Sequence, residues 1–174
     1  PYFNDLVLPT GNLREPKGGA IRANIIMVTK CPNDLSDNEK SKYIKRIHPE
    51  KHQHVFFSSI AYSNCLCSAE ETKAIDKLES FTLVTGIANS KLLVDFLRSE
   101  NLNFEHLNFK DHYDFTEEDI STLEKKELIV TTEKDFMRLK QYESLKSKLF
   151  YLPITVIIDE APKMNQLIKD FVNS

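Results

Sequence analysis

Phe81-Thr82-Leu83-Val84, followed by Gly86 and by Asn89-Ser90, reads as a strand buried on both faces, a tight glycine turn and a helix start. The same rhythm extends outward in both directions. Ile25-Ile26-Met27-Val28, Val55-Phe56-Phe57, Leu128-Ile129-Val130 and the run 150–158 carry the β-branched and aromatic side chains of strands, and Phe104-Glu105-His106-Leu107-Asn108-Phe109 is a weaker strand signal. Between them, Ser36 with Glu39, Thr116 with Asp119, and Thr132 with Asp135 place a hydroxyl at a helix N-cap and a carboxylate near N3. In the last segment Met164, Leu167, Ile168 and Phe171 fall at i, i+3, i+4 and i+7 behind Pro162, one apolar stripe that should pack on a sheet. Strands alternating with helices predict an α/β layered fold, a mostly parallel sheet with flanking helices.

The rhythm breaks between Ile60 and Ser80, where Ala61-Tyr62-Ser63-Asn64-Cys65-Leu66-Cys67-Ser68 predicts a short hairpin or linker. The expected organisation is a first part over residues 1–60, a hairpin or linker over 61–80 and a second α/β lobe over 81–174. With 174 residues, 41% of them hydrophobic, the chain can build a core and falls outside the disordered class. Its net charge of −3 gives no global attraction to nucleic acid or to an anionic membrane. No run reaches the roughly 18 apolar residues of a membrane span. Cys31, Cys65 and Cys67 are an odd number in a chain too long to need disulfide staples, which favours free thiols in a reducing compartment. The chain opens on Pro1 without an initiator methionine, and the expectation is a piece that starts within a longer protein.

Four places hold groups suited to chemistry. Gly86 ends a buried strand, where backbone amides could meet an anion; the plainer reading is a tight strand-to-helix turn. Arg14-Glu15, in Leu13-Arg14-Glu15-Pro16 between Gly11 and Gly18-Gly19, offers a guanidinium fork for phosphate oxygens and a carboxylate for a metal-bound water, or else a solvated ion pair. Asp111-His112 lies just beyond a strand and before the Thr116 cap, where an imidazole can relay a proton or orient a partner carboxylate, or else simply cap a turn. Lys134 opposes the helix dipole in the first turn after Thr132 unless an anion or carboxylate compensates; its alternative is a solvent-facing side chain between Glu133 and Asp135. A Gly-x-x-x-x-Gly-Lys-Ser/Thr loop is absent from the sequence. His48, His52 and His54 lack a cysteine or carboxylate that would complete a zinc set, and no metal ligand is assigned.

In order along the chain, Leu8-Pro9-Thr10-Gly11-Asn12-Leu13-Arg14-Glu15-Pro16, Arg22-Ala23-Asn24, Val84-Thr85-Gly86-Ile87-Ala88-Asn89, Phe109-Lys110-Asp111-His112, Thr132-Glu133-Lys134-Asp135 and Tyr151-Leu152-Pro153 resemble the signature segments of the tetraacyldisaccharide 4'-kinases. Asn24 stands where that family usually has Asp, Lys110 where proline is common, and Ser90 where proline often follows. The resemblance implies the carboxyl-terminal half of an ATP-dependent, Mg2+-using lipid A kinase: the remnant of a P-loop kinase lobe plus a smaller α/β lobe. It implies transfer of the γ-phosphate of ATP to the 4'-hydroxyl of a tetraacyl glucosamine disaccharide, at the cytoplasmic face of the bacterial inner membrane as a peripheral protein. It further implies His112, with Asp111, in catalysis, Arg14 and Glu15 in the nucleotide and metal neighbourhood, and Gly86, Asn89 and Lys134 nearby. The amino-terminal kinase lobe would be the missing partner, and without its phosphate loop the chain alone should be inactive. Two other readings stay open at this point: a nucleotide-binding module and a purely structural α/β module.

Overall fold

The computed structural model describes Asp5, Val7, Thr10, Gly11 and residues 13–173. Leu8, Pro9 and Asn12 of the first signature segment lie outside the described residues. The chain divides into two compact units, Pro1–Ala61 with Val156–Ser174, and Tyr62–Thr155. The segment 156–174, assigned by the sequence to the second lobe, therefore clusters with the amino-terminal part, and residues 62–80 belong with the second unit.

The first unit carries the three-stranded sheet of β1 (Ile25–Cys31), β2 (His54–Tyr62) and β9 (Ile154–Ile158), in the order β1-β2-β9, with β1 and β2 parallel. Helix α1 (Asp37–Ile47) starts at the expected Ser36, whose hydroxyl accepts from the Glu39 amide while Glu39 reaches back to the Ser36 amide. Asp159 fastens the end of β9, its Oδ1 accepting from the Phe57 amide at 2.7 Å and its Oδ2 pairing with Lys40 at 2.9 Å. Helix α5 (Ala161–Val172) bears Pro162 in its first turn, as expected. Its apolar stripe is only partly covered: Met164 and Leu167 are half-buried, whereas Ile168 and Phe171 are exposed. Four of the five β9 residues are exposed as well, so the expected helix-on-sheet seam is left open on this side.

The second unit holds six strands in the order β4-β3-β8-β7-β5-β6. They are β3 (Cys65–Cys67), β4 (Thr72–Ala74), β5 (Phe81–Thr85), β6 (Phe104–Asn108), β7 (Ile129–Thr131) and β8 (Leu149–Tyr151). β6, β5, β7 and β8 are parallel, and the β3–β4 hairpin closes one edge antiparallel. This hairpin is the break in rhythm read before Ser80. All five β5 residues are buried, and alternation along the central strands divides them between two cores. Leu83, Val130 and Phe150 pack with Leu93, Val94 and Leu97 of α2 (Lys91–Ser99). Val84, Ile129 and Leu149 pack with Ile120 and Leu123 of α3 (Glu117–Glu124) and Phe136 and Leu139 of α4 (Glu133–Leu139).

The run 150–158 is not one strand. Pro153 has no N–H for a ladder, so β8 ends before it, the Pro153 carbonyl accepts from the Ser63 amide at 2.9 Å, and β9 begins in the other sheet.

Candidate functional site

In the second unit α2 leaves β5 toward one face of the sheet, whereas α4 leaves the neighbouring β7 toward the other. Adjacent parallel strands whose helices diverge in this way open a crevice at their carboxyl ends, where open α/β sheets take ligands. Gly86 and the Thr132–Asp135 start of α4 lie at this point. The Gly86 amide donates to Asp135 Oδ2 at 2.8 Å, and the Thr132 hydroxyl donates to the same oxygen at 2.8 Å. A Cβ on residue 86 would stand 3.1 Å from Asp135 Oδ1 and 3.6 Å from the Lys110 carbonyl, which is why glycine suits this close approach. The plainer reading of Gly86 as a tight turn fits this geometry, since its amide is already engaged by a carboxylate of the chain itself.

Asp135 was legible only as a capping carboxylate. The Asp135 amide does donate to the Thr132 hydroxyl at 3.2 Å, but the carboxylate turns inward, fully buried, to the Gly86 turn. Among the described residues its Oδ1 has no hydrogen-bond partner, and neither has the buried Nη1 of Arg138, 3.9 Å away.

Asp111 and His112 occupy the central positions of a turn beyond β6, closed by the Tyr113 amide on the Lys110 carbonyl at 3.1 Å. His112 has φ 59°, in the left-handed region that side chains with a Cβ rarely adopt. This leaves the imidazole 81% exposed, with Nε2 3.7 Å from Asp111 Oδ2, while the His112 amide donates to Asp111 Oδ1 at 3.1 Å. Lys134 Nζ donates to that same Oδ1 at 2.8 Å. The carboxylate that the first-turn lysine requires is thus Asp111, and the hydrogen bond from Lys134 holds the Asp111 carboxyl below the ordinary carboxylate range; desolvation opposes it, and His112 and the charge of Lys134 add smaller downward contributions. One helical turn along, Arg138 Nη2 donates to Asp114 Oδ1 at 2.8 Å, and the guanidinium lies 5.4 Å from the centroid of the Phe115 ring. Asp111, His112, Lys134 and the Gly86 turn are therefore brought to one end of the sheet.

Asn89 precedes α2, its Oδ1 accepting from the Lys91 amide at 3.0 Å, and Ser90 is the N-cap without a capping side-chain bond. A further polar group was not read from the sequence. Thr85 Oγ1 is 2.8 Å from His106 Nε2 and donates to Asn108 Oδ1 at 2.9 Å, joining β5 to β6. Burial pushes the His106 imidazole below its ordinary range, with the charge of Arg98 acting the same way.

Arg14 and Glu15 belong to the first unit and are exposed, just before the 3-10 turn Lys17–Arg22. Glu15 Oε2 accepts from Arg22 Nη2 at 2.5 Å, and a Cβ on Gly19 would fall 2.8 Å from that oxygen. The solvated ion pair anticipated for Glu15 is present, with Arg22 rather than Arg14. His52 Nε2 lies 3.2 Å from the Ile21 carbonyl, and among the described residues no group of three or more His, Cys, Asp or Glu side chains is placed to hold a metal ion.

The family model described as Tetraacyldisaccharide-1-P 4'-kinase matches residues 1–173. The chain is 41% identical over 158 residues to the tetraacyldisaccharide 4'-kinase of Flavobacterium johnsoniae, covering 88% of this chain and 46% of that protein. It is 38% identical over 182 residues to that of Flavobacterium psychrophilum, covering 99% and 52%. Among solved structures it resembles LpxK from Aquifex aeolicus, described as an "apo" form in complex with ATP, with a TM-score of 0.63 and 25% identity over 96% of this chain and 48% of that one. The chain spans about half the length of the relatives it matches. A match over nearly every residue means that the chain belongs to the tetraacyldisaccharide-1-P 4'-kinase family.

Proposed function

We propose that this chain is the carboxyl-terminal half of an ATP-dependent kinase that phosphorylates the 4'-hydroxyl of the tetraacyl glucosamine disaccharide in lipid A biosynthesis. The observation that carries the reading is the Asp111–His112 turn, an exposed imidazole held in a left-handed conformation at the carboxyl end of a parallel sheet within a chain of this family. The relative of known structure is described as binding ATP, which supports ATP as the phosphoryl donor.

In phosphoryl transfer the protein's task is mostly placement and charge neutralisation. His112 would orient a carboxylate contributed by the amino-terminal lobe. That carboxylate takes the proton as the 4'-oxygen attacks the γ-phosphorus, the bond to the β-phosphate oxygen breaks, and ADP leaves. Asp111, whose carboxyl the hydrogen bond from Lys134 holds below the ordinary carboxylate range, accepts from the His112 amide and so steadies the turn that carries the imidazole. Arg14 would lie in the nucleotide neighbourhood. Glu15, engaged with Arg22 in this structure, would lie in the metal neighbourhood, and Mg2+ would accompany ATP. The apolar side chains Val156, Ile157, Ile168 and Phe171 left exposed on β9 and α5 support a further lobe of the protein covering the first unit. Among the described residues no helix is long and apolar enough to cross a membrane. The tetraacylated acceptor supports peripheral work at the cytoplasmic face of the inner membrane.

The test is transfer of labelled γ-phosphate to the tetraacyl disaccharide by the complete enzyme, with His112→Ala beside it. The reading expects 4'-phosphorylation by the parent and a loss of about 10²-fold or more in turnover, with little change in the Michaelis constant for ATP. Absence of acceptor phosphorylation by the parent, or normal turnover by the variant, refutes it.

A further inference from the structure

His112 holds a conformation that its own side chain opposes, and such residues persist only where their surroundings over-determine them. Tyr113, the next residue, is held by Asp119 of α3 and by the Phe109 ring, and the charged part of the surroundings comes from one short helix. Lys134 and Arg138, four residues apart and so on one face of α4, each grip an acidic residue of the loop that carries His112: Lys134 holds Asp111 before it and Arg138 holds Asp114 after it, both at 2.8 Å. Arg138 also lies over Phe115, which packs edge-on against Phe109 with 5.2 Å between ring centroids, so both flanks of the turn are braced. The adjacent residue of the helix, Asp135, accepts from the Gly86 amide, and its second oxygen faces Arg138 inside the protein.

Resting on the proposed role of His112, we infer that Arg138 is a positioning residue for that imidazole, acting through Asp114 and Phe115, and that Asp135 couples the same helix to the Gly86 turn. α4 thereby sets the His112 turn and the crevice at the end of β5 as one piece. Arg138 touches no reacting atom. Its contribution is the geometry of the imidazole, and misplacement of a reacting group by about 1 Å can cost about a hundredfold in rate.

The experiment measures turnover in the complete enzyme for Arg138→Gln, Asp114→Asn and Arg138→Lys, each alone and in a His112→Ala background. Asp114 is fully exposed, so its variant keeps the fold even if loss of Arg138 beside the buried Asp135 does not. Turnover should fall about tenfold or more for Arg138→Gln and Asp114→Asn, with the Michaelis constant for ATP little changed. Arg138→Lys should recover part of the loss, because an ammonium can pair with Asp114 but lacks the planar fork that reaches Asp114 and Phe115 together. In the His112→Ala background the same changes should cost nothing further, since their effect runs through the imidazole. Normal turnover by a folded Asp114→Asn enzyme overturns the inference, as do losses that multiply with that of His112→Ala. Normal turnover by His112→Ala alone removes the underlying reading instead.

Discussion

Replacing His112 by glycine should make the chain more stable and the complete enzyme much slower. At φ 59° a residue with a Cβ bears a penalty of about 1–2 kcal/mol that glycine does not. Glycine has more backbone freedom to lose on folding, which returns about 0.5–1 kcal/mol of that gain. The ring is 81% exposed, so its removal opens no cavity, and its contact with Asp111 is an exposed pair of little net worth. The Asp111 bond to the main-chain amide of residue 112 survives the substitution. What remains is a net stabilisation of about 0–1.5 kcal/mol, read as a higher urea midpoint at unchanged slope, or as a rise of up to about 6 °C in melting temperature for a chain of this size. The turnover of the complete enzyme should fall about 10²-fold or more. A glycine variant less stable than the parent by more than 1 kcal/mol would show that the ring itself holds the loop, and the argument from strain would be wrong.

Gly86→Ala places a methyl 3.1 Å from Asp135 Oδ1, and because that carboxylate is pinned by Thr132 and the residue-86 amide it cannot retreat freely. The expected loss is up to about 2.5 kcal/mol, overpacking of about 1–3 less the roughly 0.4–1 kcal/mol entropic gain of alanine through the unfolded chain; a raised urea midpoint would show that Asp135 gives way. Lys134→Gln should raise the Asp111 carboxyl midpoint followed by carbon NMR, because the hydrogen bond from Lys134 is the main cause of its depression. The sign follows: a carboxyl depressed in the folded chain stabilises it above the unfolded midpoint, and this is lost as the pH falls through the folded one, so the parent should lose more stability in acid than the variant does. Thr116→Ala removes the hydroxyl that accepts from the Asp119 amide and should cost about 1 kcal/mol in chemical denaturation; no loss would mean that Asp119, also bonded to Tyr113, caps α3 unaided.

The parts of the fold legible in the sequence are those fixed by local chemistry. Ser36-x-x-Glu39 and Thr116-x-x-Asp119 close their own capping boxes within four residues, and β5 announces itself because both its faces are covered. The division of the chain was less visible, since α5 joins the first unit after more than ninety residues of the second, and no local pattern records where a terminal helix returns. Pro153 did carry a signal within the run 150–158: without an N–H it could not sit inside a paired strand, and the apolar run masked it. The polar partners of the site were beyond reach for a related reason. Gly86 and Asp135 are 49 residues apart, Arg138 and Asp114 are 24 apart, and neither separation leaves any periodicity to read.

Helix α4 shows why a short element can be central to a site and yet pass as ordinary. Its seven residues give Phe136 and Leu139 to the core, and that apolar pair together with the Thr132 cap is all that a pattern of hydrophobic and polar positions registers. The remaining positions look like a solvated face, because Lys134, Asp135 and Arg138 are charged and alternate in sign. Yet burial separates them: Asp135 is wholly enclosed, Arg138 is mostly covered, and Lys134 is open but bonded to Asp111. An enclosed carboxylate without full hydrogen bonding is costly, and a fold keeps one only where its surroundings fix it or its position serves a purpose. Here it joins the turn after β5 to the helix after β7, the two segments that diverge to open the crevice. The same helix grips the His112 turn on both sides, so the geometry at the end of the sheet depends on a few charged side chains whose partners only the folded chain reveals.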